Sequence, residues 1–390
     1  MKEYALVLEG GGAKGAYQIG AIKALYERGY KFNVIVGTSI GAINAAFLCQ
    51  DGVETIERLW QTLSFSDIMN IEDEFVQKVM DKQIDFSVVK ELRNNINKAL
   101  KDRGIDTALM RKLLNQYLDE EKIRNSNVRF GLVTFCISDM KPQEVFIEDI
   151  PKGQLVDYLL ASSNLPVFKR AKIDKKIFLD GGAFDNCSVE MLYNAGYKNI
   201  IALRLFTKNK IRNYSTLIKN KDLCLKMFAP SVELPYILNF ETNNLNRLLE
   251  YGYFDTIKQL DKLDGYYYTF NKISEKDIAK LLENLNPNIS LNLVNMLGIK
   301  YKAGQNIIDV AKEKAILKMS KYASQKSSKI LKRQIISIVE YVAKKENINI
   351  NKIYDFNKFL NIVKQKIINN KEKNLKSNVE KAMYYFIESI

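Results

Sequence analysis

The chain of 390 residues contains no histidine. That absence excludes a Ser-His-Asp triad, a Cys-His pair, an imidazole metal ligand and a histidine pH sensor. Any hydrolytic chemistry must therefore use another base. Cysteine is scarce as well: Cys49, Cys136, Cys187 and Cys224 lie far apart and form no C-x-x-C pair. They read as reduced thiols of a cytoplasmic protein, not as a disulfide framework. No apolar run approaches the roughly 18 residues of a membrane span. The opening run that ends at Glu9 is too short for the apolar core of a secretory signal. Any contact with a membrane is then expected to be peripheral. With six prolines in the whole chain there is no Pro-rich linker, and no Gly/Ser linker or internal repeat stands out.

What is present is ordinary for a globular protein, with 47% hydrophobic and 27% charged residues. The length suggests two domains. The formal net charge of +14 comes from 59 Lys+Arg against 45 Asp+Glu. Residues 301–390 hold 19 of the basic and 8 of the acidic residues, a net +11, which leaves 40 and 37, a net +3, for positions 1–300. The basicity thus belongs to the C-terminal segment. Such a segment attracts anionic lipid, nucleic acid or an acidic partner, or is the solvated surface of Lys-rich helices.

The N-terminal part alternates strand and helix. Residues 4–8 (YALVL) end in Glu9 and three glycines, and Ala16, Ile19, Gly20, Ile22, Ala24 and Leu25 then recur at helical spacing up to Gly29. Phe32–Val36 form a second apolar run, followed by Gly37-Thr38-Ser39-Ile40-Gly41 and an Ala-rich helical stretch to Cys49. This pattern predicts an α/β fold, a mainly parallel sheet sandwiched by helices, with ligands at the carboxyl ends of the strands. Further strands are expected at 128–137, 143–147, 176–179 and 198–206, and a helix over Leu155–Ser162. Residues 54–125 read as mostly helical, and residues 210–270 are mixed. Beyond Asn271 the pattern is helical, so the expected domains are 1–270 and 271–390.

Three motifs carry chemistry. Gly10-Gly11-Gly12-Ala13-Lys14-Gly15 lies between a strand and a helix. It fits G-x-G-x-x-G, but the second strand ends without the acid that a dinucleotide fingerprint requires, and no G-K-[ST] follows for a phosphate loop. What remains is a glycine turn whose N–H groups, at the positive end of a helix, stabilise an anion or an oxyanion. The second motif, Gly37-Thr38-Ser39-Ile40-Gly41, matches the G-x-S-x-G elbow, which exposes a serine on a sharp strand-to-helix turn. The third, Asp180-Gly181-Gly182, follows the strand at 176–179. Alone it is an ordinary turn. Beside a serine elbow in a chain without histidine, Asp180 at the tip of a parallel strand becomes the candidate proton acceptor. Partial desolvation would raise its pKa and suit it to that role.

Together these motifs, in this order, resemble those of the patatin-like phospholipases. The resemblance runs from about residue 4 to about 265. It includes Ala161-Ser162-Ser163-Asn164-Leu165-Pro166 ahead of the aspartate, Asp185-Asn186 and Val189 after it, and the Gly252-Tyr253 neighbourhood. It implies a serine lipid acyl hydrolase of phospholipase A or lysophospholipase type, acting without metal or cofactor. Ser39 would be the nucleophile and Asp180 the base. Gly10, Gly11, Gly12, Lys14 and Gly15 would form the oxyanion loop, Gly37 and Gly41 would flank the elbow, and Gly181 and Gly182 would complete the aspartate motif. Its implied partner is a lipid acyl ester. Ser188 stands where the family often has proline, which touches loop stiffness and not the dyad.

The resemblance does not reach the tail. In 329–342 and 352–368, apolar residues recur every three or four positions with lysines between them. These basic amphipathic helices dock on anionic lipid or form a helical bundle with its lysines in water, readings that are compatible if the bundle exposes a basic face; the bundle is favoured because soluble helices show the same stripe. No motif supports nucleic-acid binding. Two rival functions remain open: an anion- or nucleotide-binding module using the glycine loop, and a non-catalytic protein acting through its tail on a membrane or partner.

Overall fold

The computed structural model describes residues 3–62, 106–165, 168–207, 211–235, 242–324, 328–370 and 375–390. The helical expectation for 63–105 and the proline at 166 lie outside the described residues. Strand β1 (Glu3–Leu8) is buried at every position after the first, the profile of a strand covered on both faces. It leads through the glycine loop into α1 (Gly15–Glu27), then β2 (Lys31–Thr38) and α2 (Ile40–Asp51). Helix α2 is buried from Gly41 to Cys49. It is apolar all round, as an interior helix must be, and Ala42, Ala45 and Ala46 let it lie close to its neighbours. Helix α3 (Val53–Thr62) packs on both α1 and α2, and α4 (Ala108–Tyr117) on α5 (Leu155–Ser162).

The main sheet adds β3 (Arg129–Cys136), β4 (Lys141–Phe146), β5 (Ala171–Ile173), β6 (Lys176–Asp180), β7 (Asn199–Leu203) and β8 (Cys224–Phe228). The strand order is β5-β6-β3-β2-β1-β7-β8, with β4 paired to β3. From β3 through β2, β1 and β7 to β8 the strands are parallel. Strands β4 and β6 run the other way, each antiparallel to β3, and β5 pairs antiparallel with β6. The sheet is therefore mixed, and Asp180 does not end a parallel strand as expected. Strands β5 and β8, on short or weakly apolar runs, escaped the sequence reading.

The chain packs as two compact units, Met1–Thr256 and Ile257–Ile390. The division falls within helix α7 (Thr242–Leu260), not after residue 270. Residues 268–270 go with the second unit because their side chains are part of its core. Tyr268 and Phe270 stack with Phe359 at 4.8 and 5.0 Å between ring centroids, and β9 (Thr269–Phe270) pairs with β10 (Ile353–Tyr354). That short ladder interrupts an otherwise helical unit.

In the second unit, α8 (Leu331–Lys345) and α9 (Phe356–Asn369) carry the two amphipathic stretches. Ile335, Ile338, Val339 and Val342 are buried, as are Phe356, Phe359, Leu360, Val363 and Ile367. The apolar stripes thus face the interior of this unit, as in the bundle reading. No helix among the described residues is long and apolar enough to cross a membrane.

Candidate active site

Ser39 occupies the turn between β2 and α2 with φ 56° and ψ −126°. A non-glycine residue with positive φ is strained, and such strain needs neighbours that enforce it. Two features do so. Gly37 lies so close to the first turn of α2 that a Cβ there would sit 2.2 Å from the Gly41 carbonyl. The backbone N–H of Ser39 also donates to the Ser162 hydroxyl (3.0 Å), which in turn donates to the Val133 carbonyl of β3 (2.7 Å). Ser162, at the end of α5, thereby ties the elbow to the sheet. No sequence pattern assigned it this role.

Asp180 reaches the same place from the other direction. One edge of β3 pairs with β4; the other is shared, Val34–Thr38 lying along Arg129–Val133 and then Phe178–Asp180 along Thr134–Cys136 in reverse. The carboxyl ends of β2 and β6 thus meet head-on. Asp180 is 7% exposed. Burial raises its pKa, while the Ser39 side chain, as a hydrogen-bonding neighbour, and the Gly182 N–H pull it down. Gly182 donates to Asp180 Oδ1 at 2.7 Å. Gly181 turns the chain, its carbonyl accepting from the N–H groups of Phe184 and Asp185. The Asp180 N–H donates to the Asn164 carbonyl (2.9 Å), and the Asn164 amide donates to the Phe178 carbonyl (2.9 Å), so the 162–165 segment braces both partners.

The glycine loop completes the neighbourhood. A Cβ on Gly10 would stand 3.1 Å from the Ser39 Cβ. Asn186 clamps the loop: its carbonyl accepts from the Gly10 N–H (3.1 Å) and its amide donates to the Gly10 carbonyl (3.0 Å). Several N–H groups of the loop are already bonded. The N–H of Gly10 is held by Asn186, that of Lys14 by the Gly11 carbonyl, and that of Gly15 by the carbonyls of Gly12 and Ala13. Gly11, Gly12 and Ala13 have N–H groups with no acceptor among the described residues, as does Ile40 at the start of α2. Ile40 is the residue directly after the elbow serine.

Lys14 is 6% exposed, and its ammonium lies over the Phe206 ring, 4.0 Å from the centroid. Burial lowers its pKa, partly offset by Glu233 and Glu9. Its side chain is thus engaged by an aromatic ring. Glu9, fully buried, pairs with Arg204 (3.1 Å) and accepts from the N–H groups of Leu205 (2.6 Å) and Phe206 (3.2 Å), anchoring the loop to the end of β7. Removing either partner of such a buried pair costs about 3–5 kcal/mol. Among the described residues no group of three or more Asp, Glu or Cys is placed to hold a metal ion.

A serine on a strained strand-to-helix turn, with a buried carboxylate as neighbour and a glycine loop alongside, defines a class of α/β proteins with a histidine-free serine site. Residues 6–193 match the patatin-like phospholipase family. It is similar to Lysophospholipase nte1 of Aspergillus terreus, 28% identical over 203 residues, which are 51% of this chain and 12% of that protein. Patatin-like phospholipase domain-containing protein 7 of Rattus norvegicus is 24% identical over 241 residues, 60% of this chain and 16% of that protein. The chain thus matches only a small part of the length of these relatives. Among solved structures, VipD from Legionella pneumophila is 15% identical, with a TM-score of 0.41, over 100% of this chain and 92% of that one.

Proposed function

We propose that the chain hydrolyses acyl esters of phospholipids or lysophospholipids through a Ser39–Asp180 dyad. The observation that carries this reading is the meeting of the ends of β2 and β6 along β3, which sets Ser39 beside the buried carboxylate of Asp180 in a chain without histidine. Ionised Asp180 accepts the hydroxyl proton as Ser39 Oγ attacks the ester carbonyl. The resulting oxyanion is met by N–H groups from Gly11, Gly12 and Ile40. As the tetrahedral intermediate collapses, the carbon–oxygen bond to the alcohol breaks and Asp180 returns its proton to the departing alkoxide. Asp180 then takes a proton from water, which attacks the acyl-serine; on collapse the bond to Ser39 Oγ breaks, Asp180 gives that proton to Oγ, and the fatty acid leaves with both residues restored.

Burial favours this assignment because an ordinary aspartate is a weak base toward a serine hydroxyl, and a raised pKa narrows the gap. The test is labelling of the full chain with a fluorophosphonate probe alongside turnover of a lysophospholipid. Parent protein is expected to label and turn over, and Ser39→Ala to do neither. Equal turnover by Ser39→Ala would remove the assignment.

A further inference from the structure

One side chain stands between the glycine loop and the Asp-Gly-Gly turn. Residues 181–186 fold back on themselves: the Gly181 carbonyl accepts from the N–H groups of Phe184 and Asp185, and Asp185 Oδ1 accepts from the Cys187 N–H (3.0 Å). This turn delivers Asn186 to Gly10, whose carbonyl accepts from the Asn186 amide at 3.0 Å. The same side chain abuts Gly182. A Cβ on Gly10 would sit 2.5 Å from Asn186 Oδ1, and one on Gly182 would sit 2.7 Å from it. Contacts that short force something to shift. One side chain thus requires glycine at two places, the first position of the glycine loop and the last of the Asp-Gly-Gly motif.

Both neighbours are themselves tied to the site. The Gly182 N–H donates to Asp180 Oδ1 (2.7 Å), and the point that a Gly10 Cβ would occupy is 3.1 Å from the Ser39 Cβ. Asn186 therefore touches both the loop beside Ser39 and the turn that holds the carboxylate. The Thr38 hydroxyl, bonded to the Asp185 carbonyl, fixes the end of β2 to the same turn.

We propose that the Asn186 side chain is a positioning residue, a spacer that locks the glycine loop and the Asp180 turn to one another. The N–H groups of Gly11 and Gly12 and the carboxylate of Asp180 are then held at fixed separations around Ser39. The catalytic meaning of that arrangement rests on the dyad reading above; the lock itself does not. Asn186 supplies neither proton nor charge, and its effect reaches the reaction through Gly10 and Gly182. Such effects are large, since a misplacement of about 1 Å costs about 10²-fold in rate.

Asn186→Ala and Asn186→Asp separate the side chain from the backbone, because both keep the carbonyl that accepts from the Gly10 N–H. The aspartate variant is equal in size but sets an oxygen, in place of the donor, against the Gly10 carbonyl. Hydrogen exchange on the full chain reads the lock without substrate. Protection of segment 10–15 is carried by the bonded N–H groups of Gly10, Lys14 and Gly15. Exchange there should quicken about fivefold or more in both variants. Gly182→Ala, which pushes on the Asn186 side chain from the turn, should quicken the same amides in the parent and not in the Asn186→Ala background. A side chain that only stabilised the fold would show no such dependence. For lysophospholipid turnover, kcat should fall about tenfold or more with KM little changed, short of the roughly 10²–10³-fold that follows outright loss of an oxyanion donor. If Asn186→Ala does not fold by circular dichroism, Asn186→Asp serves in both arms. Faster exchange in the variants, with no Ser39-dependent turnover by the parent, would support the lock and defeat the dyad reading. Exchange unmoved by both variants, a Gly182→Ala effect indifferent to Asn186, or Ser39-dependent turnover with kcat unmoved would overturn the proposal.

Discussion

Thr38 and Asp180 end two strands that approach each other along one edge of β3, opposite the consecutive residues Val133 and Thr134. The next residue after Thr38 is Ser39, so β3 acts as the ruler that sets Ser39 and Asp180 side by side. A purely parallel sheet would put strand ends in a row, whereas an antiparallel β6 brings its last residue straight at the elbow. The Thr38 hydroxyl adds a cross-link, donating to the Asp185 carbonyl at 3.0 Å.

The first prediction sets activity against stability at Asp180. Its pKa is raised by burial, so the native state favours the protonated form. A group whose folded pKa exceeds its unfolded value contributes stability below the unfolded value and loses it as pH rises through the folded one. The ionised base therefore costs stability at neutral pH. Asp180→Asn is expected to melt at the same temperature as the parent or higher while losing about 10²–10⁴-fold in kcat, the usual worth of a general base. In the parent, log kcat/KM should fall with unit slope below a single pKa above the ordinary aspartate range. A melting temperature well below the parent's would contradict the assignment.

Ser162 is predicted to act on the elbow without touching substrate. Its hydroxyl links the Ser39 N–H to the Val133 carbonyl, and Ser162 is fully buried. Ser162→Ala strands both groups, at a cost of about 1–3 kcal/mol. The expected signature is a lower melting temperature and a reduced kcat with KM little changed. Ser162→Thr, which keeps a hydroxyl, should recover part of both. A raised KM with kcat unchanged would instead assign Ser162 to substrate binding.

Which of these features were legible follows from where each is determined. The glycine loop, the elbow, helix α5 and the stripes of α8 and α9 are local: each follows from residues adjacent in sequence, through turn chemistry or periodicity. The direction of β6 is not local, since nothing within Lys176–Asp180 records that its partner runs the other way. Ser162 and Asn186 matter through contacts with Ser39 and Gly10, more than a hundred positions distant. The same holds for the donor set, where only the fold shows that Asn186 already occupies the Gly10 N–H.

A third prediction concerns the crossing of α1 and α7. A Cβ on Gly20 would lie 1.9 Å from the Leu249 carbonyl, and one on Gly252 would lie 1.9 Å from the Tyr17 carbonyl. The two helices meet backbone to backbone, and Tyr17 adds a bond to Asp255 at 2.9 Å. Neither contact is with a side chain that could move aside. Gly252→Ala should therefore destabilise by about 1–3 kcal/mol or more, the cost of overpacking, despite alanine's better helix propensity. Urea unfolding monitored by the emission of Trp60 measures it; a stabilised variant would show that the helices separate readily.

The last prediction lies in the C-terminal unit. Glu340 is buried, and its carboxylate accepts from the N–H groups of Tyr266 (2.8 Å), Tyr267 (3.1 Å) and Tyr268 (3.1 Å). Burial pushes its pKa up from 4.5 to about 7, against the opposing pull of the Lys258 charge and those three N–H groups. With the folded value above the unfolded one, stability is full below about pH 4.5 and falls as pH rises toward 7, by at most about 3 kcal/mol at 1.36 kcal/mol per unit. Because Glu340 holds the 266–268 segment, amide exchange there, corrected for its intrinsic rate, should be faster at pH 8 than at pH 5. Glu340→Gln cannot ionise and should flatten that difference. If exchange in the parent slowed on raising the pH, the N–H groups and Lys258 would outweigh burial, and the carboxylate would stabilise the unit in its charged form.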